Sequence, residues 1–383
     1  MAVYLDYNAT TPIDPRVLDV MIDVYRNSPG NADSRTHTYG DNARSITETA
    51  RKQVADLLKA KSDEVFFTSG ATESNNIAIQ GLRDYAEKSG KRHIITTTIE
   101  HHAVLNTMKF MVTQGFDVEF IDPDQTGRID ADVLLSKVRQ DTLLVSVMHV
   151  NNETGIIQPV EKIGLELEKK GVLFHVDATQ SCGKLVEELQ NLKYDMLSLS
   201  AHKFRGPQGI GGLVLKKKKY RLPPVKGIIY GGQQEHGIRP GTTPVALVAG
   251  LGKACEIASQ EYQIHDEHNK QIKTELLDIL HNSGLKYDCN GDQNYCVNSS
   301  INLYLEGVSA EALMVATKQF CAVSNGSACT SKSYDPSYVL SAMGYSEDRI
   351  MNSFRISWGS GSDTEEVKDE FTKLVEMAKK LSM

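Results

Sequence analysis

Between about residues 62 and 216, short apolar runs alternate with longer stretches whose apolar positions recur every three or four residues. Strands buried on both faces read as near-continuous apolar runs, and helices packed on one side read as a 3.6-residue period. The strand-like runs are Val65–Thr68, His93–Thr98, Asp117–Ile121, Leu143–Val150, Val172–Val176, Met196–Ser200 and Gly212–Leu215. Their alternation with helical stretches predicts an α/β unit, a sheet with helices on its faces. After Pro244 a helical period continues to about Asn282, long enough to carry the chain from one unit into another. A smaller αβ pattern follows. It holds a strand over Ser299–Leu305, a helix over Ser309–Phe320, a short strand near Val323, a helix near Ser337–Met343, a strand over Phe354–Trp358 and a terminal helix from Thr364. The reading is of a large domain over residues 13–260 and a small domain made of residues 1–12 and 261–383.

Composition narrows the function classes. A chain of 383 residues with 40% hydrophobic and 24% charged residues is long enough for two units and has the balance of a globular protein. The formal net charge of −7 repels polyanions at long range, so direct nucleic-acid or anionic-membrane binding is not expected. The N-terminal Met1-Ala2-Val3-Tyr4-Leu5-Asp6-Tyr7 lacks the basic-then-apolar order of a secretion signal, and no apolar run reaches membrane-spanning length. The block Lys216-Lys217-Lys218-Lys219 reads as a solvated strand exit. The six cysteines form no CxxC pair and no zinc-spaced cluster, which points to a reducing cytoplasm, free thiols and no metal site.

Three segments carry candidate chemistry, each at the carboxyl end of an expected strand. Ser200-Ala201-His202-Lys203 places a lysine where a strand opens onto a cleft, and a desolvated lysine can form a Schiff base. His175-Val176-Asp177 ends another strand on an aspartate, a group that can keep a cofactor ring nitrogen protonated or simply cap a turn. Thr68-Ser69-Gly70-Ala71-Thr72-Glu73 is a small-residue loop before a helix, suited to cradling a phosphate or to a plain helix cap by Thr72.

The three segments occur together, and with them stand Tyr4-Leu5-Asp6-Tyr7-Asn8-Ala9-Thr10-Thr11-Pro12, Glu100-His101-His102-Ala103-Val104, Asn151-Asn152-Glu153-Thr154-Gly155, Arg239-Pro240-Gly241-Thr242 and Gly326-Ser327-Ala328-Cys329-Thr330-Ser331. On these motifs the chain resembles the class V aminotransferase family, and within it the cysteine desulfurases of iron–sulfur-cluster and nitrogen-fixation type. The resemblance implies a fold type I pyridoxal 5'-phosphate transferase, with a mainly parallel seven-stranded sheet in the large domain and a smaller α/β domain. It implies that Lys203 tethers the cofactor and moves the substrate α-proton, and that Asp177 faces the ring nitrogen. His101 would stack on the ring and relay protons, Gln180 would meet the phenolic oxygen, and Asn152 would meet cofactor or substrate. Ala71, Thr72, Ser200 and His202 would hold the phosphate, with Thr242 supplied by the second subunit of a homodimer. Arg355 would clamp the carboxylate of L-cysteine, because a guanidinium offers it two parallel donors.

Cys329 separates desulfuration from transamination. Small and polar neighbours mark its segment as an exposed, flexible loop, whereas a structural cysteine would want apolar neighbours. The expected reaction converts L-cysteine to L-alanine, leaves a persulfide on Cys329 and passes the sulfur to an acceptor protein, for iron–sulfur assembly or for thiolation of tRNA or DNA. Departures from the family pattern bear on the acceptor: Ala32 stands where proline is usual, Phe204-Arg205 where an aliphatic-Tyr pair is common, and Ser360 where arginine is frequent. The chain also closes soon after its last helix, which points away from the acceptor contact of the housekeeping enzymes. A selenocysteine lyase or another class V aminotransferase is the rival reading, and the Cys329 segment argues against both.

Overall fold

The computed structural model describes residues 2–326 and 336–382. Its strands are β1 (Val3–Tyr4), β2 (Val65–Thr68), β3 (His93–Thr97), β4 (Asp117–Ile121), β5 (Thr142–Met148), β6 (Leu173–Asp177), β7 (Met196–Ser200), β8 (Gly211–Leu215), β9 (Tyr287–Cys289), β10 (Ser300–Leu305), β11 (Cys321–Ala322) and β12 (Ser353–Ser357). The seven apolar runs between residues 62 and 216 form one sheet in the order β2-β8-β7-β6-β5-β3-β4. Every neighbouring pair is parallel except those of β8, which runs antiparallel to both β2 and β7. Two reversals restore the direction, so β2 runs with β7 and the carboxyl ends of β2, β6 and β7 share one edge.

Successive residues of a strand face opposite sides of the sheet, and the buried strands show the consequence. Val145 and Leu197 enter one apolar core while their neighbours Leu144 and Met196 enter another on the opposite face. Helices close both faces, as a doubly covered parallel sheet requires.

A three-stranded antiparallel sheet, β12-β10-β9, sits on a separate core that includes Leu5, Ile301, Leu303, Phe354, Ile356, Trp358 and Phe371. The helix Val245–Asn282 serves both regions: Val248, Leu251 and Cys255 pack with the large sheet, and Ile272, Leu276 and Leu280 pack with the small one. β1 pairs in parallel with β11, Val3 opposite Cys321, which brings the first residues of the chain onto the C-terminal region.

Several boundaries differ from expectation for local reasons. β5 ends at Met148 rather than Val150, because beyond it the chain folds into a turn closed by Asn151 N–H donating to Ile156 O (3.0 Å) and Gln158 N–H to His149 O (2.8 Å). β9 was not anticipated, since three residues with an aspartate at the centre carry no readable alternation. The five-residue helix Glu347–Met351, capped by Ser346, was also missed because it is too short for a period to show. No helix of the described residues is long and apolar enough to cross a membrane. Among them no cluster of His, Cys, Asp and Glu could hold a metal ion.

Candidate active site

The shared carboxyl edge of β2, β6 and β7 forms one wall of a cavity of about 490 Å³, lined from the other side by Asn152, Glu153, Gly326 and Arg355. Asp177 is the last residue of β6, and its buried carboxylate accepts from Asn75 Nδ2 (2.8 Å), from Thr179 N–H (2.9 Å) and from the Thr179 hydroxyl. Three donors fix the carboxylate's orientation at the end of the strand.

The strand β7 runs into one helical turn, Ala201–Lys203, which turns Lys203 into the cavity. Its Nζ donates to the backbone carbonyls of Asn8 (2.7 Å) and Ala9 (2.8 Å). The N-terminal segment is laced to the same turn, with Thr11 N–H donating to His202 O (2.9 Å) and Arg205 N–H to Thr11 Oγ1 (2.8 Å). His202 Nδ1 lies 3.1 Å from Thr10 Oγ1, and burial with the nearby Lys203 charge pushes its imidazole down to about 4.

The loop after β2 has the features of an anion cradle. Gly70 sits at φ 153°, ψ 179°, a conformation open essentially to glycine alone, and caps the helix Ala71–Gln80 with no side-chain bond to its N-terminus. A β-carbon on Gly211 would fall 2.7 Å from Gly70 Cα and closer still to Leu199 O, so the approach of β8 to this loop needs a glycine at 211. Thr72 therefore does not cap the helix; it lines the cavity together with Ala71, Ser200 and His202.

His101 lies across the cavity at the start of the helix His102–Thr113, where its Nδ1 accepts from Ala103 N–H (3.1 Å). Burial is the largest influence and lowers its pKa, so the ring is neutral with its proton on Nε2. Gln180 Nε2 donates to Asn8 O (2.9 Å), and its Oε1 lies 3.4 Å from Lys184 Nζ. Lys184, half-buried beside Lys203 and Arg355, is pushed down to about 7, by desolvation first and then by those two cations.

On the opposite wall Arg355, central in β12, is buried. Its Nη2 donates to Asp6 Oδ1 (2.5 Å) and its Nη1 to Asn152 O (2.7 Å), while its Nε has no partner among the described residues. Asn152 Oδ1, also buried, lacks a partner among the described residues too.

Pyridoxal phosphate fits these residues. The cavity offers an uncapped helix N-terminus with Ser200 and Thr72 beside it for a phosphate, the Asp177 carboxyl for a ring nitrogen, and an amine on a turn between them. It also holds the unpartnered Asn152 amide oxygen and Arg355 Nε, which a polar occupant would satisfy.

The structure thus gathers Lys203, Asp177, His101, Gln180, Asn152, Ala71, Thr72, Ser200, His202 and Arg355 around one cavity. Thr242 is exposed and does not line it. Cys329 lies outside the described residues. The other cysteines suit structural positions: Cys182, Cys255, Cys296 and Cys321 are buried, Cys289 is half-buried, and burial raises all five thiol pKa values.

Sequence reading missed Asn75, Lys184, Asp6 and Glu153. Asn75 left a faint signal, a polar run Thr72-Glu73-Ser74-Asn75-Asn76 in a helix otherwise facing a core. The others are defined by partners far along the chain.

Comparison with known proteins agrees with this geometry. The Aminotransferase class-V family pattern matches residues 3–369. A cysteine desulfurase IscS of Vibrio cholerae serotype O1 (strain M66-2) is 42% identical over 381 residues, covering 99% of this chain and 93% of that protein. Among solved structures, a NifS-like protein superposes with a TM-score of 0.90 at 36% identity, covering 98% of this chain and 99% of its own. SspA, solved in complex with cysteine, superposes with a TM-score of 0.82 at 35% identity, covering 93% of this chain and 98% of its own.

Proposed function

Because the chain belongs to the class V aminotransferase family and is a pyridoxal-phosphate-dependent cysteine desulfurase, we propose that the cavity binds L-cysteine and that Cys329 takes its sulfur. The observation that carries this reading is the convergence of Lys203, Asp177 and Arg355 on one cavity.

When bound, the cofactor supplies an electron sink that acidifies the substrate α-carbon. Lys203 Nζ would hold it covalently, and the two carbonyls that now accept from Nζ keep that nitrogen at the cavity mouth. Asp177 would hold a proton at the ring nitrogen, and Gln180 has a second amide N–H to offer the phenolic oxygen. Ala71, Thr72, Ser200 and His202 would hold the phosphate, joined by Thr242 of the partner subunit in a homodimer. His101, neutral and protonated on Nε2, would lie against the ring and pass a proton. Arg355 would orient the substrate carboxylate, and its unpartnered Nε supports that role. Asn152 would bind at the same end.

Lys203 removes the α-proton and later returns one. The Cys329 thiolate then forms an S–S bond to the substrate sulfur as the Cβ–S bond breaks, and the electron pair stays on the three-carbon fragment. That fragment takes up a proton and leaves as L-alanine, so one L-cysteine and one thiol become one L-alanine and one persulfide. Gly326 lines the cavity and Cys329 follows it by three residues in the sequence, which supports Cys329 as the group that takes the sulfur.

On this reading residues 13–260 form the cofactor-binding unit, and residues 1–12 with 261–383 form the unit that carries Cys329. A second apolar core around β10 and β12 supports that division, while Val339, Leu340, Met343 and Ile350 of the second unit pack into the core of the first. The persulfide passes in the cytoplasm to an acceptor protein serving iron–sulfur assembly or nucleic-acid thiolation, and the net charge of −7 favours a protein acceptor over a nucleic acid. The test is Cys329→Ala: it is expected to keep the spectral response to L-cysteine and lose alanine formation. Undiminished alanine formation would overturn the assignment.

A further inference from the structure

Glu153 is a carboxyl at the cavity wall to which the reaction above assigns nothing. It is buried, and burial raises its pKa against the opposing influence of Ser337 and the Arg355 charge. Its backbone N–H and carbonyl are both held, and so is the N–H of the next residue. Asn151 Oδ1 accepts from Glu153 N–H (2.9 Å) and from Thr154 N–H (3.0 Å), and Asn302 Nδ2 donates to Glu153 O (3.0 Å).

Its side chain meets both described ends of the chain that bracket residues 327–335. On the far side Ser337 Oγ donates to Glu153 Oε2 (2.5 Å) and caps the helix Tyr338–Ala342 by accepting from Leu340 N–H (3.1 Å). Tyr338 continues this docking, its hydroxyl donating to Glu100 O (2.7 Å) and its ring 4.9 Å from that of His102. On the near side Gly326, at φ +92°, packs directly on the carboxyl, since a β-carbon there would lie 3.0 Å from Glu153 Oε2. Gly326 O also faces Arg355 Nη1 at 3.5 Å.

We propose that Glu153 is a positioning residue for the sulfur-transfer step, holding Gly326 and Ser337 at one buried carboxyl and so fixing where the Cys329 segment leaves and rejoins the cavity wall. The inference rests on Cys329 being the sulfur acceptor. Cys329 is three residues from Gly326, so its reach is measured from a point that Glu153 sets. Misplacement of a reacting group by about 1 Å costs up to roughly a hundredfold in rate.

The experiment compares two steps on the cofactor-loaded enzyme. Exchange of the α-hydrogen of L-alanine with deuterated solvent, followed by NMR, reports proton transfer at the cavity without any thiol. Persulfide formation on Cys329 in a single turnover with L-cysteine reports the sulfur step. Glu153→Ala and Ser337→Ala are expected to slow persulfide formation roughly ten- to a hundredfold and leave α-hydrogen exchange unchanged. Glu153→Gln, which retains a partner for the Ser337 hydroxyl, is expected to recover most of the rate. Wild-type persulfide formation in Ser337→Ala, or proportional loss of both steps in every variant that folds, would overturn the proposal. Cys329→Ala run alongside separates the two failures: if it still desulfurates, the acceptor assignment falls, and if it is inactive while the Glu153 and Ser337 variants match wild type, only the positioning role falls.

Discussion

The two walls of the cavity are held in place by different means. On the sheet wall, Asp177 and Lys203 sit at or just past the ends of buried strands, and the hydrogen-bonded register of β6 and β7 sets where they point. On the opposite wall, Arg355 depends on Asp6, 349 residues away, and Asn152, 203 residues away. Two buried carboxyls have raised pKa values, Glu153 on the second wall and Glu100 behind the cavity, next to His101. The sheet wall is rigid because its chemistry is attached to the core of the fold. The other wall is assembled from distant parts, so its geometry is as good as those few long-range bonds.

The strongest way to break this comparison is to remove the central group of each wall. Lys203→Ala is expected to abolish the lysine-linked cofactor absorbance and to lower turnover of L-cysteine by roughly 10²–10⁴-fold, the usual worth of a positioned acid–base group. Retention of covalently attached cofactor in that variant would sink the role of Lys203. On the other wall Arg355→Ala is expected to keep the absorbance and to lower kcat/KM for L-cysteine by roughly 10–150-fold, through KM, as loss of about 1.5–3 kcal/mol of charged hydrogen bonding implies. A loss confined to kcat would show that Arg355 does not bind the carboxylate.

A smaller effect is expected at Asn75, which supports the sheet wall from behind. Asn75→Ala leaves Asp177 one donor short, and a net hydrogen bond of about 1 kcal/mol corresponds to a roughly fivefold fall in turnover. An unchanged rate would mean that the two Thr179 bonds suffice.

The mildest test is of stability. Burial pushes Glu100 up to about 8 from an ordinary 4.5, and its Oε2 has no partner among the described residues. Between those values the folded state binds more protons than the unfolded one. Its contribution is therefore fully present below pH 4.5 and is lost as pH rises through 8. Glu100→Gln is expected to remove up to about 1.4 kcal/mol of stability change per pH unit across that window, read from urea midpoints at several pH values. Parallel curves for variant and wild type would show that Glu100 is not held protonated.

The same division explains what was legible in the sequence. Lys203 and Asp177 follow apolar runs directly, so strand end and functional group are read together from about ten consecutive residues. The seven sheet strands were legible for the same reason, each being a local apolar run, with end errors of one or two residues where a turn decides the boundary. Asp6, Asn75, Lys184 and Glu153 were not legible, because nothing near them in the chain distinguishes an exposed polar residue from a buried one. Glu153 lies next to Asn152 in a recognisable motif, yet its meaning comes from Ser337, 184 residues later. Arg355 was found through resemblance, and its pairing with Asp6 emerged only from the fold.

The central claim is tested most directly by locating the sulfur. After a single turnover with L-cysteine and alkylation, the account predicts that mass analysis of peptides finds one extra sulfur atom on Cys329 and none on Cys182, Cys255, Cys289, Cys296 or Cys321. Alanine formed with the extra sulfur on another of these cysteines, or on none, would contradict it.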